Sequence, residues 1–376
     1  MLELAGIIIL GIIAQWVAWR FKLPAILPLI LIGLLVGPIA TLYTEDGSKI
    51  IEPIWNGEKG LFPGEGLYYF VSLAISVILF EGGLTLKRAE ISNVGPVISK
   101  LITIGTIVTF FGAGVSAHYI FGLSWQISFL FSALIIVTGP TVITPILRNI
   151  SLKKDVSAVL KWEGILIDPI GALVAVLVFE FISVGEGQAF TQTALVEFGK
   201  IILFGTTFGF TFAHALAFAI KRDFIPHYLL NVVSLSTVLL VYVESDLFAH
   251  ESGLLAVVVM GMVLGNMKLP NIKELLYFKE SLSVLLISIL FINLKLNEKL
   301  FIGWVGPRGN VAAGIASLFG SKLMLRGEPG AEYITPLVFM IVLGTVLLNA
   351  TTARLFAKLV GVFLMKSEGI LIIGAS

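Results

Sequence analysis

The chain has 376 residues, 57% of them hydrophobic and only 13% charged, against roughly 45–50% apolar and 25% charged in soluble domains, which excludes a water-soluble globular fold. A formal net charge of +1 gives no polybasic surface for nucleic acid and no acidic one for a basic partner. With no cysteine in the chain, disulfides and thiolate metal sites are excluded as well. The expected class is all-α: a polytopic transmembrane helix bundle in the cell membrane, with the lipid bilayer as its principal partner.

A transmembrane helix needs about 20 largely apolar residues to cross roughly 30 Å of hydrocarbon. On that measure, candidate spans fall at 2–19, 23–43, 67–86, 95–121, 125–147, 156–183, 196–220, 225–243 and 252–267. The first run has no basic leader and no small-residue cleavage site, so it reads as a true span and not a signal peptide. Basic residues then fix the orientation. Arg20 and Lys22, Lys87, Arg88 and Lys100, Arg148, Lys153 and Lys154, Lys221 and Arg222, and Lys268, Lys273 and Lys279 fall in alternate loops, while Glu45, Asp46, Glu52, Glu58, Glu186, Glu244, Asp246 and Glu251 fall between them, with only Lys49 and Lys59 against the pattern. The positive-inside rule therefore places the basic loops in the cytoplasm and the N-terminus outside.

Beyond residue 268 the pattern degrades. An apolar run at 281–292 is followed by 300–324 and 334–364, giving about 12 candidate spans in a membrane domain covering residues 1–365. Twelve helical residues extend about 18 Å, too short to cross. Counted from an external N-terminus, this run would also leave Arg354, Lys358 and Lys366 outside, against the positive-inside bias. One further crossing between Ile292 and Asn293 repairs the count, so a segment is expected to be missing there; the competing reading is a re-entrant hairpin. Residues 366–376 are of another kind. Lys366-Ser367-Glu368 precedes the short apolar Ile370 to Ile373 and then Gly374-Ala375-Ser376. That resembles the first strand and glycine turn of a dinucleotide-binding unit, the start of a truncated cytoplasmic domain that could carry a nucleotide.

Ionisable groups deep in a span cost roughly 2.5–3.5 kcal/mol each on insertion scales and are functional candidates by default. Asp168, in Trp162-Glu163-Gly164-Ile165-Leu166-Ile167-Asp168-Pro169, lies near the middle of its span with no cation close in sequence. Pro169 cannot donate a backbone N–H and disfavours helix at the residue before it, so a kink is expected at Asp168. In the preceding span, Thr138-Gly139-Pro140 interrupts the helix at mid-membrane, and Gly306-Pro307-Arg308-Gly309 does so in the other half. Paired breaks of this kind point to a midplane site between inverted repeats, where freed carbonyls meet a cation. Arg308 always carries its charge and needs an anion there. Glu163 stands about 140° around the helix from Asp168, so it is assigned to a structural pair with Arg308, leaving Asp168 free to exchange. The opposite assignment, Arg308 with Asp168 and Glu163 as carrier, stays open. Glu81 is read as structural near the end of its span. His214 and Asn231 are read as candidates for interhelical hydrogen bonds, and His250 with Glu251 as an external loop. No serine, histidine and carboxylate set recurs at membrane depth, which leaves an intramembrane enzyme without support.

These residues resemble the NhaP-type branch of the monovalent cation:proton antiporters. The resemblance rests on Leu79-Phe80-Glu81-Gly82-Gly83-Leu84, the break at Thr138 to Pro140, the spacing of Glu163 and Asp168, and Pro307-Arg308-Gly309. It implies about thirteen helices, a homodimer formed through a dimerisation bundle, and two discontinuous helices crossing beside Asp168. It also implies that Asp168, with Thr138, transiently binds the transported cation. Three positions depart from the family pattern: Gly139 stands where aspartate is usual, Ile167 where asparagine is usual, and Gly164 where many members have serine. The expected activity is exchange of Na+ or K+ for H+ by alternating access, electroneutral because one carboxylate titrates, with no tightly bound cofactor. A channel and a non-transporting ion sensor are the rival readings.

Overall fold

The computed structural model describes residues 2–21, 26–37, 39–42, 66–136, 154–184, 190–249 and 252–269, with short pieces at 44, 49–51, 60 and 62 and parts of 316–352. The described residues build an all-helical bundle: α1 (Leu2–Phe21), α2 (Ile26–Val36), α3 (Gly66–Thr85), α4 (Arg88–Lys100), α5 (Thr106–Phe121), α6 (Trp125–Ile136), α7 (Lys154–Val184), α8 (Phe190–Lys221), α9 (Leu230–Phe248) and α10 (Ser252–Asn266). A single π-helical turn, Leu101–Gly105, joins α4 to α5. Five of these stretches are long and apolar enough to cross a membrane: Leu4–Phe21, Val94–Phe121, Lys154–Phe179, Gly199–Lys221 and His227–Phe248.

Most spans form where their apolar runs predict, and the exceptions have local causes. Helix α4 begins at Arg88, well before the apolar stretch, because its first turns are amphipathic and carry Glu90 towards α7. Helix α9 starts only at Leu230, since Pro226 opens a short 3-10 turn at His227–Leu229. At its other end α9 continues to Phe248, so Glu244 and Asp246 belong to its last turns and not to an external loop. Helix α7 runs unbroken through Pro169. The expected interruption at Asp168 is therefore reduced to the one hydrogen bond that Pro169 cannot donate, which is owed to the carbonyl of Ile165. The junction between Ile292 and Asn293, both predicted helix breaks and residues 366–376 lie outside the described residues.

Packing is organised around α10, which lies against α3, α8 and α9. Backbones come unusually close there. A Cβ at Gly83 would stand 2.7 Å from the carbonyl oxygen of Val258, and one at Gly261 would press on the carbonyl of Phe80. On the opposite side, a Cβ at Gly209 of α8 would collide with the carbonyl of Ala256. Helices in lipid associate through such small-residue contacts, since hydrocarbon supplies no hydrophobic drive between them. Around this seam lies the apolar core, including Leu79, Phe80 and Leu84 of α3, Ile165 of α7 and Met260 and Leu264 of α10.

The α5–α6 hairpin has its own locks. Gly122, with φ of +66°, ends α5 in the left-handed conformation, and its N–H donates to the carbonyl of His118 at 3.0 Å. The His118 ring stacks on Trp125 with centroids 3.9 Å apart. Deeper in, Ser132 of α6 donates to the carbonyl of Phe110 in α5.

Replacing Gly261 by leucine is expected to destabilise the fold by about 1–3 kcal/mol or more, because overpacking at a backbone contact cannot relax through rotamers. Gly112→Ala is the control, since a Cβ there meets nothing within 4 Å. Thermal unfolding of the two purified variants in detergent measures the difference, and equal melting temperatures would contradict the close-packed seam.

Candidate functional site

Asp168 sits on the most enclosed of the five long membrane-crossing stretches among the described residues. Of the α7 window Lys154–Phe179, 61% is buried inside the protein, against 11% for the window Val94–Phe121. Its flanks Ile165, Ile167 and Ala172 are buried hydrophobic residues, and Asp168 itself is 1% exposed. Among the described residues its Oδ1 has no hydrogen-bond partner. Leaving a buried polar oxygen unpaired costs on the order of 1–3 kcal/mol, more if it is charged. A carboxyl group held in that state is stabilised by whatever satisfies the oxygen, a proton or a cation. The proline that follows adds a second unsatisfied acceptor, the carbonyl of Ile165, one turn earlier on the same helix.

Glu163 is half-buried on α7. It stands five residues before Asp168, about 140° around the helix. Gly164 and Ile167, between them, are both buried and bring no polar side chain to the site.

A polar cluster that the sequence reading missed lies about two turns before Asp168. Lys161 Nζ forms an ion pair with Glu90 at 2.9 Å and donates to the carbonyl of Thr85 at 3.3 Å. Trp162 Nε1 donates to the same carboxylate, reaching Glu90 Oε2 at 3.2 Å. One carboxylate of α4 thus anchors two consecutive residues of α7, and α3 supplies the third partner. The overlooked signal was Lys161: a cation inside a candidate span requires an anion, and the first turns of α4 hold one.

The basic end of the bundle is knitted in the same way. Asn266, the last residue of α10, donates from Nδ2 to the carbonyl of Leu86 at 2.8 Å and accepts the Arg88 N–H on Oδ1 at 2.9 Å. Lys87 Nζ donates to the carbonyl of Gly265. Of the remaining predicted residues, Glu81 is half-buried near the end of α3. His214 is exposed, and its Nδ1 contacts the carbonyl of Phe210 at 2.9 Å. That bond stays within α8, so His214 makes no interhelical bond through this nitrogen. Asn231 Oδ1, buried on α9, meets no hydrogen-bond partner among the described residues, so the expected interhelical bond of that oxygen is not made to any of them. Thr138, Gly139, Pro140, Gly306, Pro307, Arg308 and Gly309, together with His250 and Glu251, lie outside the described residues.

Comparison with known proteins bears on this arrangement. Residues 6–294 match the family model of the transmembrane sodium/hydrogen exchanger. A K(+)/H(+) antiporter NhaP2 of Shewanella sp. (strain ANA-3) is 26% identical over 388 aligned residues, covering 87% of this chain and 67% of that protein. The Na(+)/H(+) antiporter 1 of Methanocaldococcus jannaschii is 23% identical over 420, with 94% of each chain covered. Among solved structures, the sodium proton antiporter MjNhaP1 of the same organism at pH 8 superposes with a TM-score of 0.71 at 21% identity, covering 94% of this chain and 97% of that one.

Proposed function

We propose, from the premise that this chain belongs to the transmembrane sodium/hydrogen exchanger family, that it exchanges a monovalent cation, Na+ or K+, for protons through Asp168. One observation carries the assignment. A carboxyl group 1% exposed, at the middle of a long apolar helix, keeps an oxygen without a hydrogen-bond partner among the described residues. Burial makes an empty, charged Asp168 costly, and either a proton or a partly dehydrated cation removes that cost. Both cargoes carry one positive charge and compete for one carboxylate, so the exchange is one for one and electroneutral.

Coordination of the cation falls to Asp168, to the hydroxyl of Thr138 and to carbonyls freed at the two helix breaks. Glu163 is the partner proposed for Arg308, which keeps the arginine from neutralising the exchanging carboxylate. Function as a homodimer in the cell membrane, with the N-terminus outside, completes the reading. A channel is not favoured, since a lone buried carboxylate between apolar neighbours offers no continuous polar path; single-channel currents would reverse that judgement.

The positive-inside count of the basic residues after residue 268 supports a missing crossing between Ile292 and Asn293.

Asp168→Asn is expected to abolish cation-dependent proton movement in proteoliposomes given a pH gradient, because an amide cannot alternate between protonated and charged forms. Retention of wild-type rates on addition of Na+, K+ or Li+ would remove Asp168 from the mechanism.

Single removal of Glu163 or Arg308 should cost on the order of 3–5 kcal/mol by stranding a buried charge. Removal of both should cost less than the two losses combined. Additive losses in the double-mutant cycle would show that the two residues do not interact.

The missing crossing is testable by topology, because the chain contains no cysteine. Single cysteines placed at Lys221 and Lys366 should react with an impermeant maleimide from opposite sides of the membrane. Labelling from the same side would count against a missing segment.

A further inference from the structure

Apart from the Asp168 site, the bundle holds a cavity of about 410 Å³ between the start of α4, α7, α8 and the end of α10, within the roughly 300–1,000 Å³ typical of small-molecule sites. Its walls are apolar: Phe210 of α8 and Val259, Met262 and Val263 of α10. Two features set its orientation. Phe210 is 55% exposed and His214 beside it is exposed too, so the cavity borders the lipid-facing side of α8. Arg88 lines it at the end of the bundle that carries Lys87, Lys221, Arg222 and Lys268, the end assigned to the cytoplasmic leaflet.

Arg88 is exposed at the mouth of the cavity. Its backbone N–H is fixed on Asn266 Oδ1, and among the described residues its guanidinium makes no ion pair or hydrogen bond. The nearest acid in sequence, Glu90, is already engaged by Lys161 and Trp162. An arginine cannot shed its charge and matches phosphate geometry with two parallel donors. Directly beneath it are methionine and valine side chains and the ring of Phe210, surfaces that hydrogen-bonding ligands do not prefer.

We propose that this cavity binds one anionic phospholipid, with its phosphate on Arg88 and the upper part of an acyl chain against Phe210, Val259, Met262 and Val263. Charge selects the headgroup, since an unpaired guanidinium at the level of the headgroups attracts an anionic lipid over a zwitterionic one. Shape selects the lipid over a soluble phosphate, because a small anion would leave the apolar walls empty. The site joins α7 to α8 and α10, so its occupant bridges the helix bearing Asp168 and the glycine-packed seam. The inference stands on the cavity and on Arg88, and does not depend on the exchange reading.

Native mass spectrometry of the purified full chain tests it, with phosphatidylglycerol, phosphatidylcholine and soluble glycerol phosphate as probes. The expected result is one phosphatidylglycerol retained per chain, with about tenfold weaker retention in Arg88→Gln and retention recovered in Arg88→Lys. Val263→Phe, which fills the cavity without touching the charge, should displace the lipid equally. Equal retention of phosphatidylcholine, or unchanged binding in Val263→Phe, would overturn the proposal. Glycerol phosphate binding as tightly as the lipid would overturn it too, since the acyl chain would then contribute nothing.

Discussion

Hydrocarbon gives apolar helices no reason to prefer one another to lipid, so a membrane bundle is held by how closely its backbones approach and by the polar groups it satisfies internally. In this chain the approach is closest along α10. Gly83, Gly209 and Gly261 leave no room for a Cβ between α10 and its neighbours α3 and α8. Once that seam is set, the turn after α3 is set with it. Asn266 at the end of α10 reads the backbone at Leu86 and Arg88, and this fixes where α4 departs and where Glu90 meets α7.

Helix α7 is held by a different rule. Its early turns are tied by charge: Lys161 and Trp162 share Glu90, and each of these groups has its hydrogen-bonding need met. Farther along, at Asp168, the same helix carries an oxygen that none of the described residues bonds. The contrast separates architecture from chemistry on one element. A satisfied, half-buried ion pair holds its two helices together because loss of either partner leaves the other without its counter-charge. An unsatisfied carboxyl group invites an exchangeable occupant. Glu90 and Lys161 are 71 residues apart, so Lys161 signals its need of an anion in the sequence but not which anion meets it.

That difference explains what the sequence made legible. Helix existence followed from apolar runs, since a lipid-crossing segment must satisfy its own backbone and its length is dictated by the bilayer. Asp168 was legible for the same reason: a lone carboxylate stands out against long apolar flanks. Boundaries were less so. Hydropathy placed a span at 225–243, but Pro226 delays α9 to Leu230, and the carboxylates Glu244 and Asp246 remain helical at its far end. Hydropathy measures cost of burial and not where backbone hydrogen bonding stops. The continuity of α7 through Pro169 was misjudged for a related reason: tertiary enclosure of α7 outweighs the local preference against helix before a proline. His214 shows the opposite error, because depth in a span was taken for contact with a neighbouring helix, while its bond closes within α8.

The composition of α7 around Asp168 bears on how an exchanger of this kind would choose its ion. Ile167 precedes the aspartate and Gly164 follows Glu163, and both are buried. Neither can offer an oxygen or nitrogen from its side chain. On the proposed reading, α7 therefore supplies the charge that binds either cargo but little of the geometry that would distinguish Na+ from K+. A carboxylate alone favours the smaller cation electrostatically, yet the smaller cation also gives up more hydration to reach it. Discrimination must then come from neutral oxygens brought by other elements, whose number and spacing decide which hydration shell is best replaced. The carbonyl of Ile165, left without its donor by Pro169, is the one such oxygen that α7 itself provides within a turn of Asp168. Substitutions in the helices that face Asp168 should accordingly alter selectivity more than conservative changes along α7, where the charge and its burial are the whole contribution.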